Sequence, residues 1–296
     1  MPINLPLISV NGEFNAAISP LDRGFTYGDG VFETCRYSHG SIPLWDAHWA
    51  RLLHSAERLK IPVDVDLLKH YLNDVLVILT EENITQAVIK ITLTRGVGGR
   101  GYRLPDQVHP TYCIGAFPGN SLQSDNYAKG VSVRICGLQL SQSPTLAGMK
   151  HLNRLEHILA RSEWHDEFAE GLLLDAQDKI IEATVSNVFA VKNNRLFTPD
   201  LSLAGVAGIM RKTIIDQLAP LVGVDCDVTD MDLAFLYAAD EVFLCNSVYG
   251  IWPVNSIVDD HQSQRVEVQH LYINHQVTHK LQHQLERLLG NNTNSL

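Results

Sequence analysis

The chain has 296 residues, 45% of them hydrophobic and 19% charged, with a net charge of -10 at neutral pH. That much apolar material supports one large core or two medium ones, so two lobes are expected and a small stapled scaffold is excluded. The acidic balance argues against nucleic acid or an anionic membrane as partner. Apolar runs too short for a bilayer, with no basic-then-apolar leader, make the cytoplasm the expected compartment. Cys35, Cys113, Cys136, Cys226 and Cys245 are scattered without a Cys-x-x-Cys pair, the pattern of reduced thiols rather than of a disulfide or zinc framework.

In chain order, residues 3–18 read as a hairpin turning on Asn11-Gly12. After Gly28 and Gly30, residues 31–37 have strand composition, and period two places Phe32, Thr34 and Arg36 on one face. His39-Gly40 turns the chain, and Asp46 is the expected N-cap of a helix that contains Arg51. A second helix over 66–80 leads into a buried strand over 87–94. The run Arg95-Gly96-Val97-Gly98-Gly99-Arg100-Gly101-Tyr102 follows, with glycines and arginines that suit a phosphate or carboxylate cradle. It lacks the helix of a dinucleotide fingerprint, and spacing alone favours a flexible hairpin loop. Residues 111–117 form another strand, and the polar stretch 118–130 marks the lobe boundary.

The second lobe opens with a strand over 131–140. Lys150 then follows the breakers Pro144 and Gly148 and precedes a helical repeat through Leu152, Leu155, Ile158 and Leu159, which predicts a lysine at a helix entrance. Residues 171–198 read as a meander with turns at Gln177-Asp178 and Asn193-Asn194. Within it Glu182 lies among apolar neighbours, either edge-exposed or buried with a partner. Gly205 to Gly208 lead a helical pattern through Leu221, so the first backbone N–H groups could point at an anion. Residues 241–254 give two strands about a polar turn. A C-terminal helix over 266–289 carries His275, His279 and His283 at four-residue spacing; without a metalloprotease-type Glu companion the row reads as a solvated face.

Lys150, Glu182 and the two anion-ready turns together carry a resemblance. From Tyr27-Gly28-Asp29-Gly30-Val31-Phe32-Glu33-Thr34 to Cys245-Asn246-Ser247-Val248-Tyr249-Gly250 the chain resembles the fold-type-IV pyridoxal-phosphate enzymes over nearly its whole length. The resemblance implies an α+β (mixed α/β) two-lobed fold. A smaller N-terminal α/β domain would occupy 1–118, a linker 119–130, and a larger C-terminal pseudo-barrel domain carrying the Schiff-base lysine 131–296.

It further implies that Lys150 binds the aldehyde of pyridoxal 5'-phosphate and moves protons, and that Glu182 partners the ring nitrogen. Arg51, the backbone N–H groups of Ile209 and Met210, and Ser247 with its neighbour Asn246 would hold the phosphate. Arg100 and Tyr102 fall where members of the family grip a carboxylate, with Arg154 and Arg95 as weaker choices. The loop bearing Arg100 can serve the other subunit in this family, so a homodimer is expected.

Thr34, Met210 and the string His151-Leu152-Asn153-Arg154-Leu155-Glu156 look most like the family's lyase branch, with Thr34 as a catalytic hydroxyl. That branch converts 4-amino-4-deoxychorismate to 4-aminobenzoate and pyruvate for folate biosynthesis. The chemistry it implies is capture of the substrate amine, proton removal by Lys150 and elimination. The alternatives are an aminotransferase for D-amino or branched-chain amino acids, and a cofactor-free binding protein.

Overall fold

A computed structural model of the chain describes residues 4–119, 122, 124–259 and 267–291. Two compact units emerge, the first taking in Met1–Ser121 and Met149–Asn153, the second Leu122–Gly148 and Arg154–Gly290. The chain around Lys150 thus groups with the first unit, whereas the sequence reading has it in the second.

In the first unit, β1 (Leu7–Val10) and β2 (Glu13–Phe14) form the expected hairpin, with Asn11 and Gly12 both at positive φ. The short α1 (Arg23–Tyr27) is capped by Asp22 and leads to β3 (Gly30–Ser38). Then come α2 (Trp45–Arg58), α3 (Val65–Glu81), β4 (Gln86–Thr94) and β5 (Thr111–Pro118). The antiparallel sheet runs β2-β1-β5-β4-β3.

Its two faces differ as period two requires. Val31, Cys35 and Tyr37 of β3, with Ile89, Ile91 and Leu93 of β4, are buried in one cluster with Leu52 and Ala56 of α2 and Leu68, Leu72 and Leu79 of α3. Each buried Val, Leu or Ile among them contributes about 1.5–3 kcal/mol. Phe32, Thr34 and Arg36 lie on the other face, where Thr34 is in register with Lys90. Asp46 is not the cap of α2. Leu44 stands there in the left-handed region with no side-chain cap bond, and Asp46 falls in the first turn, where its charge favours the helix dipole.

In the second unit, α4 (Asp125–Lys129) replaces part of the expected linker, followed by β6 (Val131–Leu140) and α5 (Leu155–Arg161). The meander comprises β7 (Glu170–Asp175), β8 (Ile180–Ala183), β9 (Asn187–Lys192) and β10 (Arg195–Thr198). Asp178, Asn193 and Asn194 take positive φ at the predicted turns.

The predicted helix after Gly208 is interrupted. A single turn α6 (Ile209–Thr213) passes into a π-helical turn over Ile214–Leu218 and then α7 (Ala219–Val222). After β11 (Cys226–Val228) and α8 (Leu233–Tyr237) come β12 (Glu241–Asn246) and β13 (Gly250–Asp259). The mixed sheet runs β11-β10-β9-β12-β13-β6-β7-β8, with β14 (Glu267–Leu271) paired to β13.

The expected C-terminal helix is therefore shorter. Glu267–Leu271 is a strand, residue 266 lies outside the described residues, and α9 (Gln276–Asn291) begins where Glu241 accepts the N–H groups of Val277 and Thr278. His275 precedes α9 and bonds Asn255, while His279 and His283 are exposed.

Candidate active site

Lys150 is not at a helix entrance, because α5 begins only at Leu155. Its carbonyl accepts from the N–H of Phe32 at 2.9 Å, and the Leu152 N–H donates to Gly30 at 3.0 Å, so the segment is laid along β3 as added backbone. Glycine permits this approach. A Cβ at Gly30 would stand 2.4 Å from the Leu93 carbonyl and 2.8 Å from Leu152. The Lys150 Nζ lies 4.5 Å from the centroid of the Phe32 ring, and Lys90 Nζ lies 5.3 Å from the same centroid.

Arg51 reaches β3 from α2. Its Nε and Nη2 donate to the two oxygens of Glu33 at 2.7 and 2.6 Å, and His48 Nδ1 lies 2.7 Å from Glu33 Oε2. Burial pushes the Glu33 carboxyl up, but Arg51 and then His48 outweigh it and hold the group below the usual range. His48 itself is pushed down by burial, with Glu33 opposing, and the charges of both Arg51 and Lys150 bear on it. Lys150 and Arg51 thus act on one buried patch of β3 and α2, and Thr34 is carried half-buried on that strand. A guanidinium has five N–H donors, of which Glu33 takes two.

The glycine-rich run is anchored rather than loose. Buried Arg23 pairs with Asp29 at 2.8 Å and donates to the Gly101 carbonyl at 3.0 Å, while the Gly101 N–H donates to Tyr27 Oη. Arg100 and Tyr102 flank that clamp, exposed, with Tyr102 edge-on to Tyr27. Arg95 is a framework residue. It bonds both oxygens of Asp29 and the carbonyls of Leu59 and Lys60.

In the second unit, Glu182 on β8 is buried and doubly held. The Val206 N–H donates to Oε2 and His157 Nε2 lies beside Oε1, both at 2.9 Å. Asn187 of β9 donates to the Val206 carbonyl, and a Cβ at Gly208 would stand 1.9 Å from Asn187 Oδ1. The Gly205–Gly208 turn is therefore closed tightly over β8 and β9, which sets where α6 starts. The N–H groups of Ile209 and Met210 open that buried turn, and among the described residues no acceptor meets them.

Asn246 fixes the β12–β13 turn, accepting from the N–H groups of Val248 and Tyr249 at 2.9 Å each and donating to the Val185 carbonyl. Ser247 sits half-buried in that turn. Arg154, half-buried, has its pKa lowered by burial, opposed by Glu182 and Glu156. It stands beside the carboxylate that holds Val206 rather than in the exposed loop of Arg100.

Sequence reasoning missed Glu33, His48, Lys90 and His157. Glu33 could have been found, since it breaks the apolar face of Val31, Cys35 and Tyr37, and His48 and Arg51 stand three residues apart on the facing helix. Lys90 follows from pairing β3 with β4 in register. His157 carried no signal of its own.

In the first unit an amine and a guanidinium bear on one buried patch, and in the second the Ile209 and Met210 amides open a turn whose Val206 N–H is held by the Glu182 carboxylate. The description "Amino-transferase class IV" matches residues 30–257. The chain is 38% identical over 252 residues to an aminodeoxychorismate lyase of Vibrio harveyi, covering 84% of this chain and 90% of that one. It is also similar, at 30% identity, to the branched-chain-amino-acid aminotransferase of Escherichia coli, covering 83% of each. The crystal structure of 4-amino-4-deoxychorismate lyase from Pseudomonas aeruginosa superposes with a TM-score of 0.84 at 38% identity, covering 95% of this chain and 98% of that one.

Proposed function

The chain belongs to the amino-transferase class IV family, and from that membership we propose that it is a pyridoxal-phosphate-dependent lyase converting 4-amino-4-deoxychorismate to 4-aminobenzoate and pyruvate. The observation that carries the choice of reaction is the 38% identity to the Vibrio harveyi and Pseudomonas aeruginosa lyases, against 30% to the Escherichia coli aminotransferase.

Bound pyridoxal 5'-phosphate supplies an aldehyde that captures amines and a ring that accepts an electron pair. Lys150 would hold that aldehyde through its amine, and the same amine would serve as the base for the proton on the substrate carbon bearing nitrogen. Thr34 orients that amine or relays its proton. Departure of the enolpyruvyl group from the neighbouring carbon gives pyruvate and leaves an aromatic ring. Glu182 offers a fixed carboxylate to the ring nitrogen. Arg51, the amides of Ile209 and Met210, and Ser247 bind phosphate, with Asn246 setting the Ser247 turn. Arg100, Tyr102 and Arg154 are the groups for the substrate carboxylates, and Lys90, in register with Thr34, adds a cation.

We place the protein in the cytoplasm as a homodimer. Leu155, Ile158 and Leu159 lie exposed by 72, 62 and 57% on one face of α5, and in the first unit Phe25 is 76% exposed. Apolar surface of that kind marks a protein interface. Among the described residues no helix is long and apolar enough to cross a membrane.

The decisive experiment supplies enzymatically generated aminodeoxychorismate and follows 4-aminobenzoate and pyruvate together. Equal release is expected, and Lys150→Ala should lower it by about 100-fold or more. Release of a keto acid from an added amino acid at comparable efficiency, with no 4-aminobenzoate, would make the chain an aminotransferase. Sedimentation at micromolar concentration should give twice the chain mass.

A further inference from the structure

We propose that His157 is a positioning residue for Glu182: its neutral imidazole, protonated on Nε2, holds that carboxylate ionised and in one orientation for the cofactor's ring nitrogen. The inference rests on the reading of Glu182 as the ring-nitrogen partner, and extends it to a residue that no resemblance assigns.

The contact is built into the fold. His157 lies in the first turn of α5 and Glu182 on β8, with side chains 14 and 4% exposed and 2.9 Å between Nε2 and Oε1. An ionised carboxylate only accepts, so Nε2 must carry the hydrogen. The other ring nitrogen, Nδ1, is buried with no hydrogen-bond partner among the described residues. An imidazolium would bury a charged, unmet N–H at that atom, whereas the neutral ring buries only a lone pair. Arg154 also faces this corner, its pKa lowered by burial and opposed by Glu182 and Glu156, and Glu156 Oε1 accepts from the Ser141 N–H.

The choice of a neutral donor has a chemical consequence. Two donors, the imidazole and the Val206 amide, favour the ionised carboxylate. Neither donor brings a charge of its own, so neither adds to the cation already beside the carboxylate, Arg154. Gly205 completes the enclosure, since a Cβ there would meet Glu182 Cδ at 3.3 Å.

The test uses holoenzyme carrying ring-15N pyridoxal phosphate and 15N-histidine. In the wild type, His157 should show the neutral Nε2–H tautomer at neutral pH; an imidazolium signal there overturns the proposal. His157→Leu should move the ring-nitrogen resonance toward the unprotonated position and raise the cofactor dissociation constant in dialysis roughly tenfold. His157→Gln, which restores an N–H donor, should recover both. A ring-nitrogen resonance and cofactor affinity unchanged in His157→Leu would refute the role of His157.

Glu182→Gln serves as the parallel arm. If it shifts the ring nitrogen and His157→Leu does not, only the present inference fails. If it shifts nothing, the reading of Glu182 fails with it. Should His157→Leu lose its fold by circular dichroism, the tautomer measurement on the wild type still decides.

Discussion

Glu33 in the first unit and Glu170 in the second are both 1% exposed, yet their surroundings are opposite in kind. Glu33 meets a guanidinium and an imidazole and is held below the carboxylate range. Glu170 meets only neutral donors: Thr184 Oγ1 at 2.5 Å, Ser186 Oγ at 3.2 Å, the Val185 N–H at 3.3 Å and Tyr249 Oη at 3.4 Å. Burial pushes its pKa up to about 7, the hydroxyls opposing without winning. Depth alone therefore does not fix a buried carboxyl's state; the charge of its partners does. The first arrangement suits a permanently ionised clamp that aims Arg51, the second a group that can hold a proton while tying together the turns that bear Thr184 and Tyr249.

Removing the charge from the clamp should have the largest effect. Glu33→Gln removes the charge that Arg51 and His48 share, and denaturant unfolding of the first unit should show a loss of about 3–5 kcal/mol. Equal stability in the variant would mean that the ion pair contributes nothing, and the contrast would collapse.

The pH dependence of the two sites comes next, and it has opposite signs. The folded state raises Glu170 from its ordinary 4.5 to about 7. Its contribution is therefore full below the unfolded value and is lost as pH rises to the folded one, roughly 3 kcal/mol in all. Glu170→Gln should flatten that fall in a thermal-melt series between those two values. Glu33, lowered in the folded state, contributes above its ordinary 4.5 and loses that contribution as pH drops through its folded value. A melt series below that pH, wild type against Glu33→Gln, should converge.

Arg51→Lys sharpens the functional side of the comparison. An ammonium cannot span both Glu33 oxygens as the guanidinium does, so cofactor affinity measured by dialysis should fall about tenfold, with the fold retained. Unchanged affinity would remove Arg51 from the phosphate site. The smallest effect is expected for Tyr249→Phe. It loses the hydroxyl's bonds to Glu170 and Ser186 but keeps its stack on Trp252, at 3.7 Å between centroids, and should shift stability by about 1 kcal/mol.

Much of the fold was legible because it obeys simple periods. The alternation over β3 located its two faces, Asn11-Gly12 marked the first hairpin, and the Asp178 and Asn193-Asn194 turns marked the meander. What stayed hidden was decided by partners distant in sequence. The apolar repeat from Leu152 predicts a helix entrance at Lys150, but backbone pairing with β3 takes residues 150–152 and the helix starts only at Leu155. Likewise the local pattern over 267–271 predicts helix, because nothing local announces that β13 will pair with it.

For the site, Lys150, Glu182 and Arg51 stood out as residue types in motifs. The side chains holding them did not, since Glu33, His48 and His157 acquire their meaning only from contacts made across elements.

The seating of Lys150 on β3 also bears on when the enzyme can acquire its cofactor. The Phe32 amide waits for a carbonyl made more than a hundred residues later, and contacts of such separation form late because the chain between them must first be ordered. A newly synthesised first unit has its strand but not its lysine. On the proposed role of Lys150, covalent loading is reserved for chains in which that segment has closed the edge of β3, so the attached cofactor would report that this pairing has formed.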